Sequence, residues 1–170
     1  MPNWCQNVLS ITGPEKDLRE FKEKSPNSNF CLQTYLPMPK ELKGTTAPLD
    51  RPNWYDWALA NWGTKWDIGD GNTIGTKMEI TGLQWWKRNT NTTWNTNEYL
   101  IRVCFDSAWC PPSEGIQTIS NDYPSLNFTL KYAEGGVGFA GIEVFKGGQV
   151  AHAEEGDCEE YLGSKDFTFP

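Results

Sequence analysis

At 170 residues, with 38% hydrophobic and 14% aromatic content, the chain predicts one domain cored by a few large side chains and excludes wholesale disorder. Its net charge of −7 sits almost wholly at the C-terminal end: residues 134–170 hold 8 acidic and 2 basic side chains, against 14 and 13 in residues 1–133. Such a balance argues against direct binding of nucleic-acid phosphates, which need a basic face to displace counterions.

Residues 7–12, NVLSIT, put Leu9 and Ile11 on one side and Ser10 and Thr12 on the other, predicting a half-buried strand that Gly13-Pro14 ends. Pro14 suits the first turn of a helix, Glu15 and Asp17 suit its positive end, and Leu18 with Phe21 give it a narrow apolar stripe. Residues 30–35 read as extended. In Leu36-Pro37-Met38-Pro39 each proline removes a donor and keeps its predecessor out of the helix, so a rigid apolar arm is expected, followed by a loop over 40–51.

The stretch 53–67, NWYDWALANWGTKWD, carries four of the nine tryptophans within thirteen residues. Trp54, Trp57, Asn61 and Ala58, Trp62 follow helical spacing, with Pro52 near the start and Gly63 where a left-handed C-terminal residue sits. The alternation of Thr64, Lys65, Trp66 and Asp67 then predicts an extended exit that returns Trp66 to the same apolar mass.

Gly69, Gly71 and Gly75 are too irregularly spaced for a phosphate loop. Met78 and Ile80 alternate with polar neighbours as a further strand, residues 89–97 read as a hairpin tip or insertion around Trp94, and Tyr99, Ile101, Val103 and Phe105 form the cleanest strand, predicted to be central. After a stiff corner at 108–112, Ile116, Ile119 and Tyr123 mark the buried face of a helix stopped by Pro124, and Leu126, Phe128, Leu130 and Tyr132 give a fourth strand. Gly135, Gly136, Gly138 and Gly141 read as a turn before an added strand with Ile142 and Val144. An acidic, tail-like extension is expected over about 148–170. The order of elements predicts an α+β class: one domain over 1–170, with a βαββαβ antiparallel sheet, helices on one face and a tryptophan-rich insertion over about 36–76.

The opening MPNWCQN before a strand, the NWGTKWD of 61–67, the FDSAWCPP of 105–112 and a late YAEGGVGFAG together resemble the YubB-like proteins of phages and plasmids. The resemblance runs from Pro2 to about Gly147. It implies a ferredoxin-like domain, a mobile-element origin and no catalytic residues to carry over. Ferredoxin-like describes topology; the five scattered cysteines, without a CxxC pair, argue against an iron-sulfur cluster and for a reducing compartment. No window approaches the about 20 apolar residues of a membrane span, so a soluble cytoplasmic protein without membrane contact is expected.

For function, the single histidine, His152, excludes any two-histidine ligand set or catalytic pair. A His152 and Cys158 pair has neither glycine elbow nor oxyanion motif beside it, and no catalytic residue, metal or cofactor is expected. Two readings of the tryptophans stand. Trp54, Trp57, Trp62 and Trp66 either pack the core or, with Asp67, Asp106 and Trp109, line a groove for a flat ring such as a nucleotide base, or for an aromatic anchor of a partner. Trp85, Trp86 and Trp94, near Lys87 and Arg88, are candidates for stacking single-stranded bases. The acidic set Glu154, Glu155, Asp157, Glu159 and Glu160 lacks calcium-loop spacing and reads as a solvated face suited to a basic host surface. The expected role is therefore a non-enzymatic accessory protein that binds a host protein and interferes with a host defence or regulatory system; the alternative is a ligand-binding or hydrolytic pocket for a small aromatic molecule or nucleotide.

Overall fold

β1 (Trp4–Pro14) alternates except at Val8, which is buried on the other side, with Cys5, Asn7, Leu9 and Ile11 buried on one side. It is flanked on both edges, pairing antiparallel with β3 (Glu98–Ala108) and with β4 (Asn127–Glu134). The short β2 (Ile80–Gly82) lies outside β3, and β5 (Phe139–Lys146) and then β6 (Gln149–Asp157) lie outside β4, completing a six-stranded antiparallel sheet in the order β2-β3-β1-β4-β5-β6. The structure, a computed structural model, describes residues 2–68, 76–82 and 98–159.

Register explains the core. Leu9 lies opposite Val103 and Leu130, and Ile11 opposite Ile101 and Phe128, so one face of the sheet is continuously apolar. α1 (Glu15–Glu23) covers it with Leu18 and Phe21, and α4 (Ser113–Asp122) with Ile116 and Ile119. The fully buried Phe21 stacks on Tyr35 at 4.3 Å between ring centroids and meets Tyr123 and Phe128 edge-on at 4.9 and 5.8 Å. This aromatic packing joins the helices to the sheet in an α+β fold.

Between α1 and β2 the chain forms α2 (Leu32–Tyr35), a 3-10 turn (Lys40–Leu42) and α3 (Trp54–Trp62). Four local expectations are revised. Residues 32–35 are helical rather than extended, because the Asp67 carboxylate accepts from the Leu32 and Gln33 backbone N–H groups at 2.7 and 3.1 Å and caps the turn from a distant part of the chain. After Gly63 the chain bends instead of forming a strand; Thr64 is buried, and its hydroxyl donates to the Ala108 carbonyl at 2.9 Å.

Gly141 lies within β5 and not in a turn. Tyr132 reaches across it, and a Cβ there would sit 2.6 Å from the Glu154 carbonyl oxygen, so only glycine leaves room. Finally, residues 149–157 are no tail: β6 pairs along β5, with a register shift at Val144/Phe145, and forms the sheet edge. Gly69, Gly71, Gly75, Trp85, Trp86, Lys87, Arg88, Trp94, the 89–97 stretch and Glu160 lie outside the described residues. Among the described residues no helix is long and apolar enough to cross a membrane.

Candidate ligand cavity

α3 is a strongly pinned element. Asn53, fully buried, caps it by accepting from the Asp56 N–H at 2.9 Å, while its amide donates to the Asp50 carbonyl at 2.9 Å and the Asp56 carboxylate at 2.8 Å. The Trp54 backbone N–H is taken by the Thr45 hydroxyl at 3.0 Å. At the other end Gly63 adopts φ +80, a left-handed stop that a side chain would strain. These contacts fix which way each indole points.

The four indoles separate. Trp62 is buried and donates from Nε1 to the Leu36 carbonyl at 2.9 Å, tying α3 to the proline arm, and Trp57 meets it edge-on at 5.2 Å, packed against the core. Trp54 and Trp66 stay half-buried. Together with Trp62 they line a cavity of about 570 Å³, within the range of small-molecule sites, whose remaining wall includes Met38, Gln33, Thr45, Lys43, Lys65 and Asp67. The Lys65 ammonium lies 4.4 Å from the Trp66 ring centroid, a cation–π contact that holds it at the cavity wall.

Trp57 therefore belongs to the core side, while Trp54, Trp62, Trp66 and Asp67 meet in one place. Asp106 and Trp109 do not join them. Asp106 is opposite Gln6 on the sheet face away from Phe105, and lines a second cavity of about 520 Å³ with Trp4, Gln6, Glu134 and Cys158. Partial burial pushes its carboxyl above the usual range. Trp109 is 46% exposed at the corner, at φ +75, with its backbone N–H donating to the Asn3 carbonyl at 3.0 Å. Trp4, not singled out beforehand, links the two cavities: its ring lies 6.1 Å from that of Trp66. Its signal was the MPNWCQN opening; Lys43, Lys65 and Gln33 gave none, being ordinary polar residues in sequence.

The acidic residues occupy the sheet edge. Glu154, Glu155 and Asp157 are exposed on β6, and Glu159 follows, its N–H donating to the Asp157 carboxylate at 2.8 Å. Glu155 also accepts from the Tyr132 hydroxyl at 3.1 Å. Next to it, half-buried Glu143 accepts from the Ser113 hydroxyl. Burial, with the charges of Glu114 and Glu155, pushes its carboxyl up despite that bond. Burial pushes the Cys5 thiol up to about 12 and also raises Cys104, Cys110 and Cys158, away from the thiolate form that a nucleophile needs. His152 Nε2 lies 3.4 Å from the Glu154 carboxylate, and Cys158 lies buried just past the far end of β6, about 20 Å along an extended chain. Among the described residues no three His, Cys, Asp or Glu side chains converge as a metal site.

Residues 89–168 match the family described as the ferredoxin-like domain in Api92-like protein. A crystal structure of the protein api92 from Yersinia pseudotuberculosis is similar at 15% identity and a TM-score of 0.44, over 74% of this chain and 39% of that one. The chain thus spans well under half the length of that protein. No curated protein matches it.

Proposed function

We propose that the chain is a binding protein, without catalytic residues or cofactor, that holds the flat ring of a small ligand in the cavity between Trp54, Trp62 and Trp66. One observation carries this reading: three indoles converge on a single cavity, and Trp54 and Trp66 remain half-buried rather than sealed in the core. The scaffold in this proposal is a ferredoxin-like βαββαβ unit made of β1, α1, β2, β3, α4 and β4, with the tryptophan-rich stretch about 36–76 inserted and β5–β6 appended. Its source is a YubB-like protein of a phage or plasmid, acting in the host cytoplasm. The test is tryptophan emission during titration with indole, adenosine and adenosine monophosphate, in the native chain and in folded Trp54→Ala and Trp66→Ala variants. A saturable change lost in both variants is expected; a flat response throughout, or one that both variants retain, removes the proposal.

A second reading is supported by β6. It is an exposed edge strand carrying Glu154, Glu155 and Asp157, with Glu159 beside it, and so offers acceptor groups and negative charge to a basic surface of a host protein, for example one of a defence or regulatory system. Neutralising Glu154, Glu155, Asp157, Glu159 and Glu160 together is expected to abolish salt-sensitive capture of that protein. Unchanged capture eliminates the acidic surface as the contact.

A further inference from the structure

We infer that the ligand of the tryptophan cavity is a planar anion, an aromatic or heteroaromatic ring bearing a phosphate or carboxylate. This rests on the cavity reading above and on which polar groups of the wall are already engaged. Asp67, the wall's one carboxylate, accepts from three backbone N–H groups: Leu32 at 2.7 Å, Gln33 at 3.1 Å and Ile68 at 2.7 Å. The Gln33 amide oxygen accepts from the Met38 N–H at 3.3 Å. The Thr45 hydroxyl accepts from the Trp54 backbone N–H and donates to the Leu42 carbonyl at 2.7 Å. Each side-chain acceptor of the wall is thus already in use within the protein.

The donors differ. Trp62 alone among the wall's indoles has its Nε1 engaged, on the Leu36 carbonyl. Among the described residues, the Nε1 groups of Trp54 and Trp66, the Gln33 amide nitrogen and the Lys43 ammonium have no hydrogen-bond partner, and the Lys65 ammonium has only ring faces, Trp66 at 4.4 Å and Tyr55 at 5.8 Å. A ligand entering this cavity meets indole faces, two ammonium groups and unfilled N–H donors. Ligand acceptors and negative charge are matched there, whereas a ligand ammonium would face two like charges and no open carboxylate. The indole faces select a flat body and the lysines select its charge.

The experiment is calorimetric titration of the full chain with five probes: adenosine monophosphate, indole-3-carboxylate, adenosine, indole and tryptamine. The expected result is that each anion binds at least about tenfold more tightly than its neutral counterpart, with tryptamine weakest. Comparing the two anions separates a phosphate from a carboxylate preference. The advantage of the anions is expected to shrink with added salt and to fall to less than about threefold in a Lys43→Met, Lys65→Met variant that still binds the neutral rings. Lys43→Met alone, which leaves the Lys65 stacking intact, is expected to give an intermediate preference. Neutral rings or tryptamine binding as tightly as the anions overturns the charge inference while the cavity reading stands. Failure of all five probes with folded protein overturns both.

Discussion

The segment around α3 and the β5–β6 hairpin both contain acidic side chains, yet they present opposite chemistry. Around α3 three carboxylates are engaged by nearby donors: Asp67 by the Leu32 and Gln33 backbone N–H groups, Asp50 by the Thr46 N–H at 2.6 Å, and Asp56 by the Asn53 side-chain amide at 2.8 Å. What remains toward the cavity is Lys43, Lys65 and indole N–H. On β6 the strand backbone finds its partners in β5, and Glu154, Glu155 and Asp157 stay exposed to solvent even where Asp157 accepts from the Glu159 N–H and Glu155 from the Tyr132 hydroxyl. In a chain of net charge −7, the charge offered to a ligand is set by which groups the fold leaves unengaged, and not by composition.

Three substitutions sharpen that contrast. The largest effect is expected from Asp67→Ala, which leaves the Leu32 and Gln33 N–H groups without their acceptor; a loss of about 2–3 kcal/mol in urea unfolding is expected, together with loss of the cavity's binding. A loss below about 0.5 kcal/mol would show that α2 and the cavity wall do not depend on this cap. Gly141→Ala should disturb the hairpin alone. Its Cβ would press on Tyr132 and on the Glu154 carbonyl oxygen at 2.6 Å, costing about 1–3 kcal/mol by the same measurement and leaving ligand titrations unchanged.

Glu143→Gln is the mildest and acts through pH. Burial holds the folded-state value of Glu143 above the unfolded one, so its protonated form favours the fold. That contribution is complete below the usual carboxylate range and is lost as pH rises through the raised value. Removing the titration should make the variant slightly more stable than the native chain near neutral pH and flatten its thermal stability across that window. An unaltered pH profile would place the titration elsewhere.

Much of the framework could be read from residue order because it is local. The alternation of Leu9 with Ile11, of Ile101 with Val103, and of Phe128 with Leu130 marks strands with one buried face, and Leu18 with Phe21 or Ile116 with Ile119 marks the helices laid on it. Gly63 ends α3 where its lack of a side chain says it must. The rest depends on contacts far apart in the chain. α2 is capped by a carboxylate thirty-odd residues later, and Gly141 is explained by Tyr132 on the neighbouring strand. β6 shows no alternation since almost every side chain on it faces water. Strand parity separates Asp106 from the cavity, sending it to the face opposite Phe105, and nothing in residue order reveals that Lys43 and Lys65 meet across a wall of indoles.

The most direct test of the cavity account is a two-dimensional NMR titration of the indole Nε1–H resonances with adenosine monophosphate. Trp54 and Trp66, whose indole N–H groups have no partner among the described residues, are expected to shift together and saturably and further than Trp62, bonded to the Leu36 carbonyl, while the exposed Trp109 stays in place. A saturable shift confined to Trp109, or Trp54 and Trp66 signals that never move for any planar anion, would contradict the account.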